Sequence, residues 1–280
     1  MVNRSRRDFT QNSLLLPLGS VAGELAISSP LAALLVSEAK AAPQAPDGRF
    51  FEGFKRDQIR TSGATINVVY GGKGSPLLLL HGIPETHVLW RKVAPALAQD
   101  FTLVIADLRG YGDSSKPPGG ADHFAYSKRA MAQDQVEVME HLGFRKFAVV
   151  GHDRGGRVAH RMALDHADRL TRLAILDIVP TYKCYQTVSK EFATIFFHWF
   201  MLVQPPPFPE IMLGNSAELF LKTMLFRLGG EEPAQGIPQW VEQAAYNDYL
   251  RCFRDPAAIR ALCEDYRAAA SSIWHTTPRT

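Results

Sequence analysis

The sequence predicts an α/β fold: a mostly parallel sheet with helices on both faces, carrying a helical cap. Three observations predict it. Short apolar runs alternate with helix-like stretches between residues 65 and 176, the pattern of repeated strand–helix units. Residues 76–80 (Pro-Leu-Leu-Leu-Leu) are apolar at each position, which suits a strand buried on both faces. The third is Val149-Val150-Gly151-His152-Asp153-Arg154-Gly155-Gly156-Arg157. It sets a G-x-D-x-G turn between an apolar run and a helix-like stretch, the context of a nucleophile elbow.

The elements follow in order. Residues 65–70 alternate as an early strand, and Gly71-Gly72-Lys73-Gly74 reads as a turn. The strand 76–80 ends in His81-Gly82-Ile83-Pro84, and residues 90–99 have the pattern of an amphipathic helix. A strand at 101–106 ends in Asp107-Leu108-Arg109-Gly110-Tyr111-Gly112. Then come a helix at 126–142, the elbow strand at 147–150, a helix at 157–166 and a strand at 173–176. From Pro180 the alternation stops and aromatics, prolines and helical stretches take over. The expected organisation is a core at 49–180, a helical cap at 181–267 over the carboxyl ends of the strands, and a short irregular tail at 268–280.

Composition bounds the rest. The chain has 280 residues, 46% hydrophobic and 21% charged, which fits one sizeable domain with an insertion. A formal charge of +3 with scattered lysines and arginines argues against a nucleic-acid partner. Cys184, Cys252 and Cys263 form no C-x-x-C pair, so neither a disulfide framework nor a zinc site is signalled, and nothing calls for a cofactor. Ser5-Arg6-Arg7-Asp8-Phe9, an apolar stretch at 14–36 and Ala39-Lys40-Ala41 read as a twin-arginine export signal over residues 1–41. That pattern implies the export machinery as a partner and a periplasmic or secreted location. Glu24, Ser28, Ser29 and Pro30 make the apolar stretch a poor membrane span. Residues 42–48 read as a linker.

A carboxylate at an elbow attacks saturated carbon and becomes an ester, whereas a serine there attacks a carbonyl. Asp153 therefore points to a dehalogenase or an epoxide hydrolase. With the motifs above, and with Leu176-Asp177-Ile178-Val179-Pro180, His198-Trp199 and Asp265-Tyr266-Arg267, the chain resembles the α/β-hydrolase superfamily. Within it, the resemblance is to the fluoroacetate (haloacetate) dehalogenases, over residues 50–267. The resemblance implies the α/β-hydrolase fold, Asp153 as nucleophile and Asp177 as the acid. It implies an oxyanion hole from the backbone N–H groups of Ile83 and Arg154, and His198, Trp199 and Tyr266 as halide donors. The substrate would be a small anionic haloacetate, gripped by Arg154 and Arg157, because guanidinium meets carboxylate in a charge-assisted fork. Without those cations, two unit charges about 4 Å apart repel by roughly 4 kcal/mol at an effective dielectric near 20.

One departure qualifies this expectation. The family places its catalytic histidine after a last strand beyond the cap, and here only His275 lies downstream of Tyr266. The sequence therefore reads as lacking the last core strands, the final helix and the histidine, which would impair ester hydrolysis. His81 and His152, each beside a glycine of a turn, are expected to shape loops. Two rivals remain. An epoxide hydrolase would draw on Tyr182, Tyr185, Tyr246 or Tyr249 as proton donors, though a neutral epoxide gives two arginines nothing to pair with. A non-catalytic remnant is the rival from another class. Homodimerisation stays open.

Overall fold

A computed structural model describes residues 50–230 and 236–275. The expected export signal and linker lie outside the described residues. The first strand, β1 (Lys55–Arg60), pairs antiparallel with β2 (Thr65–Gly72). Its polar sequence hides it from a hydropathy reading, since of its residues only Ile59 is buried. Then follow β3 (Ser75–Leu80), a 3-10 turn (His87–Lys92), α1 (Ala94–Leu97) and β4 (Phe101–Ala106). The single helix expected at 90–99 is thus two short pieces. Pro95 in the first turn of α1 supplies no N–H and crowds the carbonyl of the preceding turn, so the helix cannot run through it.

The chain continues through α2 (Lys128–His141), β5 (Phe147–His152), α3 (Arg154–Asp165) and β6 (Leu170–Leu176). Ser127 caps α2, its hydroxyl accepting from the Ala130 N–H, so the helix expected from residue 126 begins at Lys128. The six strands form one sheet in the order β1-β2-β4-β3-β5-β6. Pairing is antiparallel from β1 to β4 and parallel across β4, β3, β5 and β6. Chain order reverses between β3 and β5, and open α/β sheets bind ligands beside that switch point.

The run at 76–80 explains why β3 is central. Leu78 and Leu80 pack with Met131 and Val158 on one face, while Leu77 and Leu79 pack with Trp90 and Tyr249 on the other. On β6 the coverage thins: Leu173 is 40% exposed and Leu176 43%. Among the described residues no strand pairs with the outer side of β6.

After β6 the chain is helical: α4 (Thr181–Gln186), α5 (Lys190–Ile195), α6 (Phe197–Leu202), α7 (Phe208–Leu228), α8 (Gln243–Phe253) and α9 (Pro256–His275). The tail expected to be irregular from residue 268 is helical as far as His275. Ala268-Ala269-Ala270 has strong helix propensity and extends α9 without a break. Residues 276–280 lie outside the described residues.

Candidate active site

Loops at the carboxyl ends of β3, β5 and β6 build the site. Asp153 follows β5 directly, with φ 44° and ψ −111°, a strained pose that lifts its side chain off the sheet. Two glycines make room for that turn. A Cβ on Gly82 would lie 2.5 Å from the Cβ of Asp153, and one on Gly155 would lie 2.5 Å from the carbonyl oxygen of His81. The Ile83 N–H donates to Asp153 Oδ1 at 3.0 Å. Arg154 opens α3, so its backbone N–H belongs to the first turn, where donors have no partner within the helix. Both N–H groups expected to form an oxyanion hole therefore sit beside Asp153.

Asp153 borders a cavity of about 560 Å³ that Arg157, Asp177, His198 and Trp199 also line, with Phe192 and Phe196 as apolar wall. His198 and Trp199, on α6, are each 4% exposed. His198 Nδ1 is buried without a partner. Burial pushes its pKa down to about 4, so the ring is neutral at ordinary pH and donates through one nitrogen only. Arg157 donates through Nη1 to Val179 O at 2.7 Å and Thr181 Oγ1 at 2.8 Å. Its guanidinium lies 4.6 Å from the Trp199 ring centre, and its Nε is a buried donor with no partner.

Arg154 differs from the sequence expectation. It does not line the cavity. Fully buried, it forks onto Asp265 on α9, Nε to Oδ2 at 2.8 Å and Nη2 to Oδ1 at 2.6 Å. Its Nη1 remains buried without a partner. Tyr266 also stands off the lining; it lies under the Arg154 guanidinium at 4.1 Å and packs edge-on against His198 and Trp199. The physical reason is that Asp265, one residue earlier on α9, competes for the guanidinium and draws it into the protein.

Asp177 follows β6 with a left-handed φ of 55° and an exposed side chain. It borders both this cavity and a second one, of about 330 Å³, which Glu85, Trp90 and His152 also line. His152 Nδ1 is 3.3 Å from Glu85 Oε2. Burial opposes charging of His152, but attraction to Glu85 outweighs it and raises the imidazole above its ordinary value. Both ring nitrogens of His81 are engaged: Nε2 accepts the Leu108 N–H at 3.1 Å, and Nδ1 meets Gly82 O at 2.8 Å. It shapes the loop, as its place beside the turn glycine implies. Among the described residues no His, Cys, Asp and Glu cluster could hold a metal ion.

The sequence reading missed Asp265 and its partners Lys128 and Tyr111, the buried cluster that claims Arg154. Asp265 sat within a noticed motif, but a lone carboxylate on a helix gives no signal until its partners, 111 to 154 residues away, are known.

The elbow aspartate, the Ile83 backbone donor, the Arg157 guanidinium and the neutral His198 and Trp199 rings thus border one cavity. The α/β hydrolase fold family matches residues 75–272, and the chain belongs to that family. The fluoroacetate dehalogenase of Burkholderia sp is 49% identical over 221 residues, covering 79% of this chain and 71% of that protein. That likeness puts the chain with the haloacetate-dehalogenase group of hydrolases. The soluble epoxide hydrolase of Corynebacterium sp. (strain C12) is 36% identical over 75% of this chain and 70% of its own. Among solved structures, an α/β hydrolase of Nostoc sp PCC 7120 superposes with a TM-score of 0.73 at 53% identity, covering 78% of this chain and 73% of that one.

Proposed function

We propose that this hydrolase acts on haloacetates and opens their carbon–halogen bond on Asp153. The observation that carries the reading is one cavity bordered by the elbow carboxylate, the unspent Nε of Arg157 and the neutral His198–Trp199 pair. Arg157 would hold the substrate carboxylate. An Asp153 oxygen would attack the substrate CH2 carbon while the carbon–halogen bond breaks and the halide leaves with the electron pair. His198 and Trp199 N–H groups would receive the halide in a dry pocket. The product of this half is an ester between Asp153 and a carboxymethyl group.

Completing the cycle requires water to attack the ester carbonyl, with the developing oxyanion on the Ile83 and Arg154 N–H groups and a base taking the water's proton. Of the histidines nearest Asp153, none of His81, His152 and His198 suits that role. His81 is spent on the backbone, His152 is paired with Glu85 at 3.3 Å, and His198 is too weak a base at a pKa of about 4. We infer that halide release outruns hydrolysis and the ester accumulates.

Intact-mass spectrometry and a halide electrode test this together. The expected result with chloroacetate is one halide released per chain and one carboxymethyl group on Asp153, both lost in Asp153→Ala. Steady turnover over many cycles would sink the stalled-ester reading, and a folded sample with neither halide nor adduct would favour the non-catalytic remnant. Epoxide hydrolysis is the second reading, favoured by the Tyr185 hydroxyl, a buried group with no partner close to Trp199. Diol formation from an epoxide without halide release from haloacetates would establish it instead. We also propose export through the twin-arginine route on the pattern at residues 5–9; lysines in place of Arg6 and Arg7 should retain the protein in the cytoplasm on fractionation.

A further inference from the structure

Cys184, on α4, lines the cavity of about 560 Å³ together with Asp153 and Arg157. Its Sγ donates weakly to Val179 O at 3.5 Å, the same carbonyl oxygen that accepts from Arg157 Nη1 at 2.7 Å. Thiol and guanidinium are thus neighbours on one acceptor. Two buried nitrogens without a partner border the same space, Arg157 Nε and His198 Nδ1. Unpaired buried polar groups of this kind call for a polar ligand, so the cysteine stands at the wall of a ligand cavity and not inside a sealed core.

The other two cysteines have closed surroundings. Cys252 borders a cavity of only about 20 Å³, room for about one water. Burial, followed by the Asp248 charge, pushes its thiol well above the ordinary range. Cys263 is fully buried on α9, and burial pushes its thiol up to about 12. The thiolate is the reactive form, so both are inert in the folded protein.

We propose that Cys184 is a second nucleophile in this cavity, and that α-haloacids with a soft leaving group, bromoacetate and iodoacetate, alkylate it and block the site. The proposal rests on the haloacetate reading for Arg157 as partner of the carboxylate, and not for Asp153. With the reagent's carboxylate on Arg157 Nε, the adjoining CH2 carbon comes within reach of the neighbouring sulfur. The thiol proton passes to solvent, a sulfur lone pair forms the S–CH2 bond, and the carbon–iodine bond breaks with iodide taking the pair. The product is a thioether, which water does not cleave, so the carboxymethyl group stays in the cavity. Fluoride behaves differently, because it leaves only with N–H donors on it, and sulfur is a polarisable nucleophile that favours a polarisable leaving group. The leaving group therefore selects the nucleophile: fluoroacetate and chloroacetate react at Asp153, and iodoacetate reacts at Cys184 as well.

Treatment of the full chain with iodoacetate, followed by peptide mapping, tests this. Hydroxylamine cleaves an aspartyl ester and spares a thioether, so the two adducts of equal mass are told apart. The expected outcome is a hydroxylamine-stable carboxymethyl group on Cys184 and none on Cys252 or Cys263. Its rate should saturate in iodoacetate and fall at least about tenfold under excess acetate, the effect of one charge-assisted hydrogen bond. Iodoacetamide brings the same carbon and leaving group without the charge, and should react at least about tenfold more slowly for the same reason. The adduct should persist in Asp153→Ala and vanish in Cys184→Ser, whose fold near-UV circular dichroism checks and whose chloroacetate burst should be kept. In guanidinium chloride all three cysteines should take the label, so the selectivity is read as a property of the fold. Equal labelling of the three in the folded protein, a rate linear in iodoacetate and indifferent to acetate, or a faster reaction with iodoacetamide each overturns the proposal. A Cys184 thioether in a chain that forms no Asp153 ester from chloroacetate sinks the dehalogenase and leaves Cys184 standing, and an Asp153 ester with Cys184 untouched by iodoacetate does the reverse.

Discussion

Arg157 and His198 show what single residues contribute to this cavity. The unspent Nε of Arg157 is worth a charge-assisted hydrogen bond to a carboxylate, and its Nη1 already fixes the plane of the guanidinium through Val179 and Thr181. Lysine keeps the charge but not the fork, so Arg157→Lys should weaken haloacetate binding by about 1.5–3 kcal/mol, roughly ten- to hundredfold. The concentration dependence of the halide burst measures it. His198 makes a pH prediction. Its pKa in the folded protein is lowered to about 4, so it gains a proton only below that value and is neutral above it. Halide release at saturating substrate should therefore show no histidine limb between about pH 5.5 and 8, around the ordinary histidine pKa of ~6.5. A break near 6.5 that disappears in His198→Gln would contradict the burial argument.

At the scale of elements, Asp107 at the end of β4 joins pieces that the sequence leaves far apart. Its carboxylate accepts from Asn67 Nδ2 on β2 at 2.8 Å, from the His87 N–H at 2.7 Å and from the Asp113 N–H at 3.0 Å. His87 Nδ1 lies 3.0 Å away, and attraction to Asp107 overcomes burial and raises the imidazole above its ordinary value. A raised folded pKa gives stability that is full below the unfolded value of about 6.5 and is lost as pH rises through the folded one. Asp107, held well below the carboxylate range by His87 and His81 despite its burial, acts in the other direction. Its contribution is present above the unfolded value of about 3.9 and lost on acidification. The pair is thus most stabilising between about pH 4 and 6.5. The melting temperature should fall from pH 6 towards 9, by about one to a few degrees for each ~1 kcal/mol lost. In His87→Phe this fall should be shallower, the remainder coming from His152, whose imidazole Glu85 also raises; an unchanged slope in differential scanning calorimetry would remove His87 as a cause.

Over the described residues the apolar surface is distributed unevenly. Leu164 on α3 is 63% exposed, and β6 shows Leu173 and Leu176 to solvent at the side of the sheet where no described strand follows. An uncovered apolar edge strand is a template for pairing with another chain. Concentrated samples should therefore associate, and Leu173→Lys, which places a charge on that edge, should lower the associated fraction in light scattering. Equal association of the two proteins would put the contact elsewhere.

Much of this was legible in residue order. The apolar run at 76–80, the glycines around Asp153 and the alternation up to Leu176 fix a parallel sheet and an elbow. Their causes are local: period, turn sterics and burial on two faces. β1 was invisible, because one buried isoleucine among polar residues carries no pattern and only pairing with β2 makes it a strand. A carboxylate at the elbow with two cations following it is written in Asp153, Arg154 and Arg157. Which cation faces the cavity does not. Arg157 reaches it and Arg154 is turned inward, because Asp265, 111 residues further on, claims two of its nitrogens. The sequence by itself determined the parallel strands β3 to β6 and the elbow that presents Asp153, since these depend on neighbours along the chain. Only the tertiary structure decided the partners of the charged groups, since a buried charge is settled by whichever opposite charge the fold brings within reach.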